Sequence, residues 1–235
     1  MKNTNALQFA KVVLTGLVGL ALTMPLQAEI RSKSHELIVV EPRNLPEQAQ
    51  LPGNSFFLHA DDEGDTYLYI EQQQGARLSV FNVTDPGKIK LVSSTTQTVP
   101  GAFDFVRPLD GRAEFIRFRD DKGVAVLDLR KPKAPALKAV NAFSNSGPTE
   151  ALGESGFLMV DEPYNYTRAV PRDYQVVDIS SPSDPVLLTT VKQVKHKVIN
   201  NETGTTFLLG SEGLTVVRRI SVENDYKTNV MQQEN

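Results

Sequence analysis

After Glu36, apolar and polar positions alternate in short runs separated by glycine- or proline-containing breaks. The stretch Tyr174–Val191, YQVVDISSPSDPVLLTTV, sets the pattern. It alternates with the period of a strand, stops at Asp178, turns through Pro182 and Pro185, and becomes apolar again. The same order of residue types recurs in LSVFNVTDPGKIKLV from Leu78 and VAVLDLRKPKAPALKAV from Val124. LTVVRRISV from Leu214 is a degenerate copy, and LIVVEPRNLP from Leu37 is a further candidate. The residues at the strand-end position are Glu41, Asn82, Asp128, Asp178 and Arg218, spaced 40 to 50 residues apart.

Two more strand-like runs precede each full copy. The nearer ones begin at Tyr67, Phe115, Phe157 and Phe207, and the farther ones at Phe56, Phe103, Glu150 and Lys197. Their joints carry turn chemistry, as in DDEGD (Asp61–Asp65), NETG (Asn201–Gly204) and DDKG (Asp120–Gly123). Glycine supplies positive φ there, and Asp or Asn bonds the turn backbone. The unit is therefore strand A, turn, strand B, turn, strand C, proline turn, strand D. Four antiparallel strands in about 45 residues is the period of a propeller blade. In LSVFNV, Leu78 and Val80 point to one face and Phe81 and Val83 to the other. Both faces are apolar, as in a sheet sandwiched between two others. The Asx residue is expected to bond backbone N–H groups of the following turn, and proline to end the ladder. On this basis Asp178→Ala should cost about 1 kcal/mol. Asp61, on a solvated hairpin, should matter little.

VVDISSPSDP (Val176–Pro185) and VLDLRKPKAP (Val126–Pro135) resemble the LVIVD repeat of exported bacterial and archaeal surface-associated proteins. VFNVTDP keeps the core of the motif but has Ile89 where the second proline would stand, and the last copy lacks the Asp and both prolines. The resemblance implies a propeller-like fold and an exported location, and no reaction. The expected fold is an all-β small propeller of four-stranded antiparallel blades. A four-bladed ring would close by pairing the N-terminal ELIVVE run with the last blade; five blades, one incomplete, is the alternative. The domain would span residues 29–226, followed by a polar, frayed tail at 227–235.

The chain start changes the picture of location. Lys2 and Lys11 precede an apolar run, Val12–Met24, and LQA ends at Ala28. That is the n-region, h-region and small-residue cleavage site of a signal peptide. The run is shorter than the roughly 20 residues of a membrane-spanning helix. Cleavage after Ala28 would remove two lysines and no acid, taking the formal charge from −3 to −5. Such a chain has no basic stripe for nucleic acid and no polybasic segment for an anionic membrane. Cysteine is absent from all 235 residues, which removes thiol catalysis, Cys-ligated metals and disulfides. A periplasmic or secreted bacterial protein fits these features.

Candidate chemistry is sparse. His35, His59 and His196 stand apart in sequence, and no HExxH, P-loop, GxGxxG or GxSxG pattern occurs. No metal or cofactor is expected. DDEGD lacks the alternating ligands and terminal Glu of a calcium loop. The repeat is broken at one place: the third B–C joint swells to DEPYNYTRAVPRD, Asp161–Asp173. Insertions on a repeat scaffold map to one face, often the binding face. Tyr164, Tyr166, Arg168 and Arg172 are the candidate anchors, since Tyr and Arg dominate interface hot spots. B–C and D–A connections lie at the same end of a propeller, so Asp104, Glu150 and His196 are expected as a channel-rim cluster. The expected function is a non-catalytic module that binds or scaffolds an envelope protein or extended polymer. The alternative is a hydrolase or lyase with an acidic and histidine site at the channel mouth.

Overall fold

The computed structural model describes residues 29–109, 111–140, 149–151, 157–159, 170–179 and 186–233. Among the described residues the chain is all-β except for three short 3-10 turns and one C-terminal helix. In chain order the strands begin with β1 (Ile30–Arg31) and β2 (Leu37–Val40). Next come β3 (Gly53–Ala60), β4 (Thr66–Gln72), β5 (Arg77–Asn82) and β6 (Lys90–Thr96). A second group of four follows: β7 (Phe103–Leu109), β8 (Ala113–Phe118), β9 (Val124–Asp128) and β10 (Ala136–Val140). Then come the hairpins β11 (Thr149–Ala151) with β12 (Phe157–Met159), and β13 (Arg172–Asp178) with β14 (Val186–Val194). The chain finishes with β15 (His196–Asn200), β16 (Thr205–Gly210), β17 (Gly213–Arg219) and helix α1 (Ile220–Gln233).

Among the described residues every ladder is antiparallel. Strands β3 to β6 form one four-stranded sheet in sequential order, and β7 to β10 form another. Strands β15 to β17 form a third, which continues through β2 to β1. The pairing Val216↔Val40 through Arg219↔Leu37 thus joins the N-terminal run to the last strand of the chain. Among the described residues no ladder joins β12 to β13.

The first sheet is buried on both faces, as the LSVFNV pattern predicts. Leu78 and Val80, with Tyr69 of β4, pack against Phe103, Ile116, Phe118 and Leu127 of the second sheet. Phe81 and Val83, with Leu68 and Ile70, pack against Phe207, Leu209, Leu214 and Val216 of the last sheet. Tyr69, Phe81, Phe103 and Phe207 have no exposed surface. Truncating such a ring to Ala typically costs about 3–5 kcal/mol. Tight backbone approach tunes these joints. Gly213 has φ +107°, and a Cβ there would sit 2.4 Å from the Ala49 carbonyl oxygen. Just beyond β4, Gly75 has φ +88° and a Cβ would sit 2.1 Å from the Gly101 carbonyl oxygen.

The strand-end Asx turns form as expected at two copies. Asn82 Oδ1 accepts from the Thr84 amide at 3.0 Å, and Asp128 Oδ1 from the Arg130 amide at 3.0 Å. Asp178 is 4% exposed, and the turn that follows it lies outside the described residues.

Two expectations need correction. Residues 227–233 are not a frayed tail but the second half of α1. Lys227 Nζ lies 2.8 Å from Glu223 and 3.3 Å from Asp85, which anchors the helix to the β5–β6 turn. The Asp61 side chain is not idle either. Its Oδ1 accepts from the Glu63 amide at 3.0 Å and the Asp65 amide at 2.8 Å, so it organises the β3–β4 hairpin.

Candidate functional site

Hairpin connectivity fixes which residues can meet. The β4–β5 and β8–β9 turns and the β6–β7 and β14–β15 connections all fall at one end of their sheets. The β16–β17 turn falls at that end too, whereas the β3–β4, β5–β6, β7–β8, β9–β10 and β15–β16 turns fall at the other. Strand β3 packs beside both β7 and β15, so residues near the appropriate ends of those three strands converge.

The hub is Asn54. It is the extra residue of a β-bulge: Gly53 pairs with Gln72 and Ser55 with Glu71, leaving Asn54 unpaired in the ladder. A bulge re-aims a side chain and frees backbone groups. Asn54 Nδ2 donates to Glu71 Oε1 at 3.2 Å. Its carbonyl accepts from Arg119 Nη2 at 3.3 Å. Its backbone also hydrogen-bonds His196, the first residue of β15.

Arg119, just beyond β8, makes the principal ion pair of this end. Its Nη2 lies 2.7 Å from Asp104 Oδ1, and Nε reaches the two carboxylate oxygens at 3.3 and 3.2 Å. Both side chains are largely enclosed, at 13% and 17% exposure. Forked geometry and partial burial make this stronger than a surface pair.

Two groups around Asn54 are displaced from ordinary titration. Burial pushes the Glu71 carboxyl up to about 7 and Asp104 adds to the rise; the Asn54 amide, Arg119 and the Gly75 amide pull the other way. Glu71 has no exposed surface, and its Oε2 has no hydrogen-bond partner among the described residues. His196 is held below the usual imidazole range, first by burial and then by the Arg119 charge; the Asn54 hydrogen bond and Asp104 oppose this. Its ring meets Phe56 edge-on, centroids 6.1 Å apart. At neutral pH His196 is therefore an uncharged, packed ring.

Above this network lies a cavity of about 550 Å³. Asn54, Arg119 and His196 form part of its lining, and Lys122 and Lys195 add two ammonium groups. Lys122 arches over the backbone: a Cβ on Gly101 would lie 3.1 Å from its Nζ. Gln74 and Asp120 complete one side, and both hold positive φ, at 56° and 60°. Non-glycine residues in that region carry local strain, which gathers at functional sites. Val170 and Pro171 close the other side.

The expected channel-rim residues meet in part. Asp104 and His196 are within electrostatic reach of each other and share Arg119 and Asn54 as neighbours. Glu150 lies in β11 opposite Leu158, and its side chain is outside the described set. Of the loop candidates, Tyr164, Tyr166 and Arg168 lie outside the described residues. Arg172 opens β13 opposite Val194 and is exposed. Pro171, beside it, reaches the cavity, so the end of the inserted segment borders the same mouth.

Asn54, Glu71, Arg119, Lys122 and Lys195 escaped the sequence reading. Glu71 did leave a signal, being a carboxylate within the apolar run YLYIEQ. Arg119, Lys122 and Lys195 flank B–C and D–A joints already identified. Nothing marked Asn54, because a bulge has no residue signature here. Among the described residues, no three His, Asp or Glu side chains gather as a metal would require. No protein-family model matches the chain, and no curated protein matches it significantly.

Proposed function

We propose that this chain is an exported, non-catalytic binding module of the bacterial cell envelope, built as a small four-bladed β-propeller. It docks a protein or an extended polymer across the end that holds the Arg119–His196 cavity. The carrying observation is the charge of that mouth. In a chain of formal charge −3, Arg119, Lys122 and Lys195 line one cavity; Asp104 balances Arg119 and Asp120 lies 3.9 Å from Lys122, which leaves Lys195 as the excess positive charge. Such a mouth suits carboxylate groups on the partner, since complementary potential steers and orients association.

Support for the propeller comes from three features. Consecutive four-stranded sheets pack face to face, β3 lies between β7 and β15, and β2 pairs with β17. Support for export is the Val12–Met24 run ahead of Ala28. Support for binding over a hydrolase or lyase is the state of the acids. Asp104 is engaged by Arg119, Asp120 faces Lys122 at 3.9 Å, and Glu71 is sealed from the cavity by burial. A general base must reach its substrate's proton.

A crosslinking pull-down from envelope extracts tests this, comparing wild type with Lys122→Glu/Lys195→Glu. Loss of a specific partner by the variant, with an unchanged melting curve, is the expected result. An identical partner list for both proteins would remove the mouth from the reading.

A further inference from the structure

A second recessed surface lies at the opposite end of the first two sheets, where the β3–β4, β5–β6 and β9–β10 turns meet. It is a groove of about 1050 Å³ running between the first sheet and the second. Leu91, Val92, Pro132 and Ala134 give it an apolar floor. The Ser93 hydroxyl donates to the Pro132 carbonyl at 2.7 Å and ties the two walls together.

The walls are charged in an uneven way. Asp65 accepts hydroxyl hydrogen bonds from Thr84 at 3.0 Å and Tyr67 at 3.2 Å. Asp85 faces Lys88 and Lys227, and Arg130 is paired with Asp128. Lys90, Lys131 and Lys133 also line the groove, and none of them has an ion-pair partner among the described residues. Asp65 and Asp85 are thus engaged, and Glu63 is the one lining carboxylate without an ion pair among the described residues, against the three ammonium groups of Lys90, Lys131 and Lys133.

We propose that this groove is a docking site for an extended acidic peptide segment of a partner protein, one that alternates carboxylate and aliphatic side chains. The lysines supply the complement to the carboxylates. The apolar floor, including Leu91 at 37% exposure, supplies a seat for an aliphatic anchor. That floor favours a peptide over an anionic polysaccharide, which carries no aliphatic side chains. The groove is separate from the Arg119–His196 mouth and stands whether or not the mouth binds anything.

The test is fluorescence anisotropy of the full chain with a labelled glutamate–leucine alternating decapeptide. Lys90→Glu/Lys131→Glu/Lys133→Glu should weaken binding by at least about tenfold, whereas Lys122→Glu/Lys195→Glu at the other end should leave it unchanged. These lysines are surface groups, so folding should survive reversal, as thermal melts would verify. A glutamine–leucine version of the peptide should also bind at least about tenfold more weakly. Three results would each overturn the proposal: no binding by wild type, equal binding by the triple variant, or binding of a linear polyuronate at these lysines in place of the peptide. Loss of binding only in Lys122→Glu/Lys195→Glu would assign the peptide to the mouth and overturn it too.

Discussion

Arg119 Nη2 lies 2.7 Å from Asp104 Oδ1, and the same nitrogen reaches the Asn54 carbonyl at 3.3 Å. One guanidinium therefore ties β7 to the bulge of β3, across the boundary between two sheets. Asp104→Ala would take the carboxylate from that cation in an enclosed position. The expected loss is about 2–3 kcal/mol, below the range for a fully buried pair because some water reaches this one. Urea unfolding would measure it. Arg119→Lys should recover only part, since an ammonium cannot fork across both carboxylate oxygens.

Glu71 couples stability to pH. Its folded value of about 7 lies above the ordinary carboxyl value of 4.5, so the folded state prefers the protonated form. The contribution is fully present below the unfolded value. It is lost as pH rises through the folded one, by about 3 kcal/mol in total at 1.36 kcal/mol per unit. Glu71→Gln keeps an acceptor for Asn54 and cannot ionise. The variant should gain stability relative to wild type between pH 5 and 8. A difference that stays flat across that range would show Glu71 titrating normally.

Glu114 offers a parallel case in the second sheet. It is 3% exposed, and burial raises its carboxyl to about 8, with Arg107 holding it down in part. Glu114→Gln should remove a further pH-dependent loss, one that continues about one unit higher. The double variant should show nearly additive effects, because the two side chains perturb each other in neither titration.

Where the last repeat loses its Asx residue, Arg218 has taken the position. Its Nε and Nη2 both reach the Glu223 carboxylate at 2.9 Å, and Nη1 reaches Glu29 at 3.4 Å. The Glu223 side chain is only 3% exposed. Arg218→Ala would strand it with Lys227 alone. The expected cost is about 2–4 kcal/mol, with weakened docking of α1 visible as faster amide exchange in residues 220–233.

Asp61→Ala tests the hairpin correction. Two amide hydrogen bonds to one carboxylate oxygen in a part-buried turn are worth about 1 kcal/mol. No change in melting would return Asp61 to the role of a solvated charge.

Much of the sheet order was legible because it rests on period. Alternation at Leu78–Val83 assigned both faces correctly, and Asn82 and Asp128 announced their turns. The pairing of β2 with β17 followed from counting strand runs. The polar helix α1 was not legible: ISVENDYKTNVMQQ has no apolar stripe, and it is held by ion pairs of Glu223 and Lys227 that no local pattern reveals. The site was half legible for a similar reason. Asp104 and His196 could be placed by topology, but the network between them runs through a backbone carbonyl at a bulge. Register irregularities of that kind arise from packing between sheets, which a single strand's sequence does not encode.

The pairing of β2 with β17 also governs the order of folding. Leu37–Val40 is made early and, beyond its hairpin with Ile30–Arg31, finds its second neighbour only when Val216–Arg219 exists. Most of the described chain must be present before the last sheet can be completed, because that ladder joins Leu37 to Arg219. Such distant contacts slow folding. A chain folding from its N-terminus would thus hold one edge of its first hairpin open until Val216–Arg219 had followed, and the last ladder to form would seal the sheet that the first strands began.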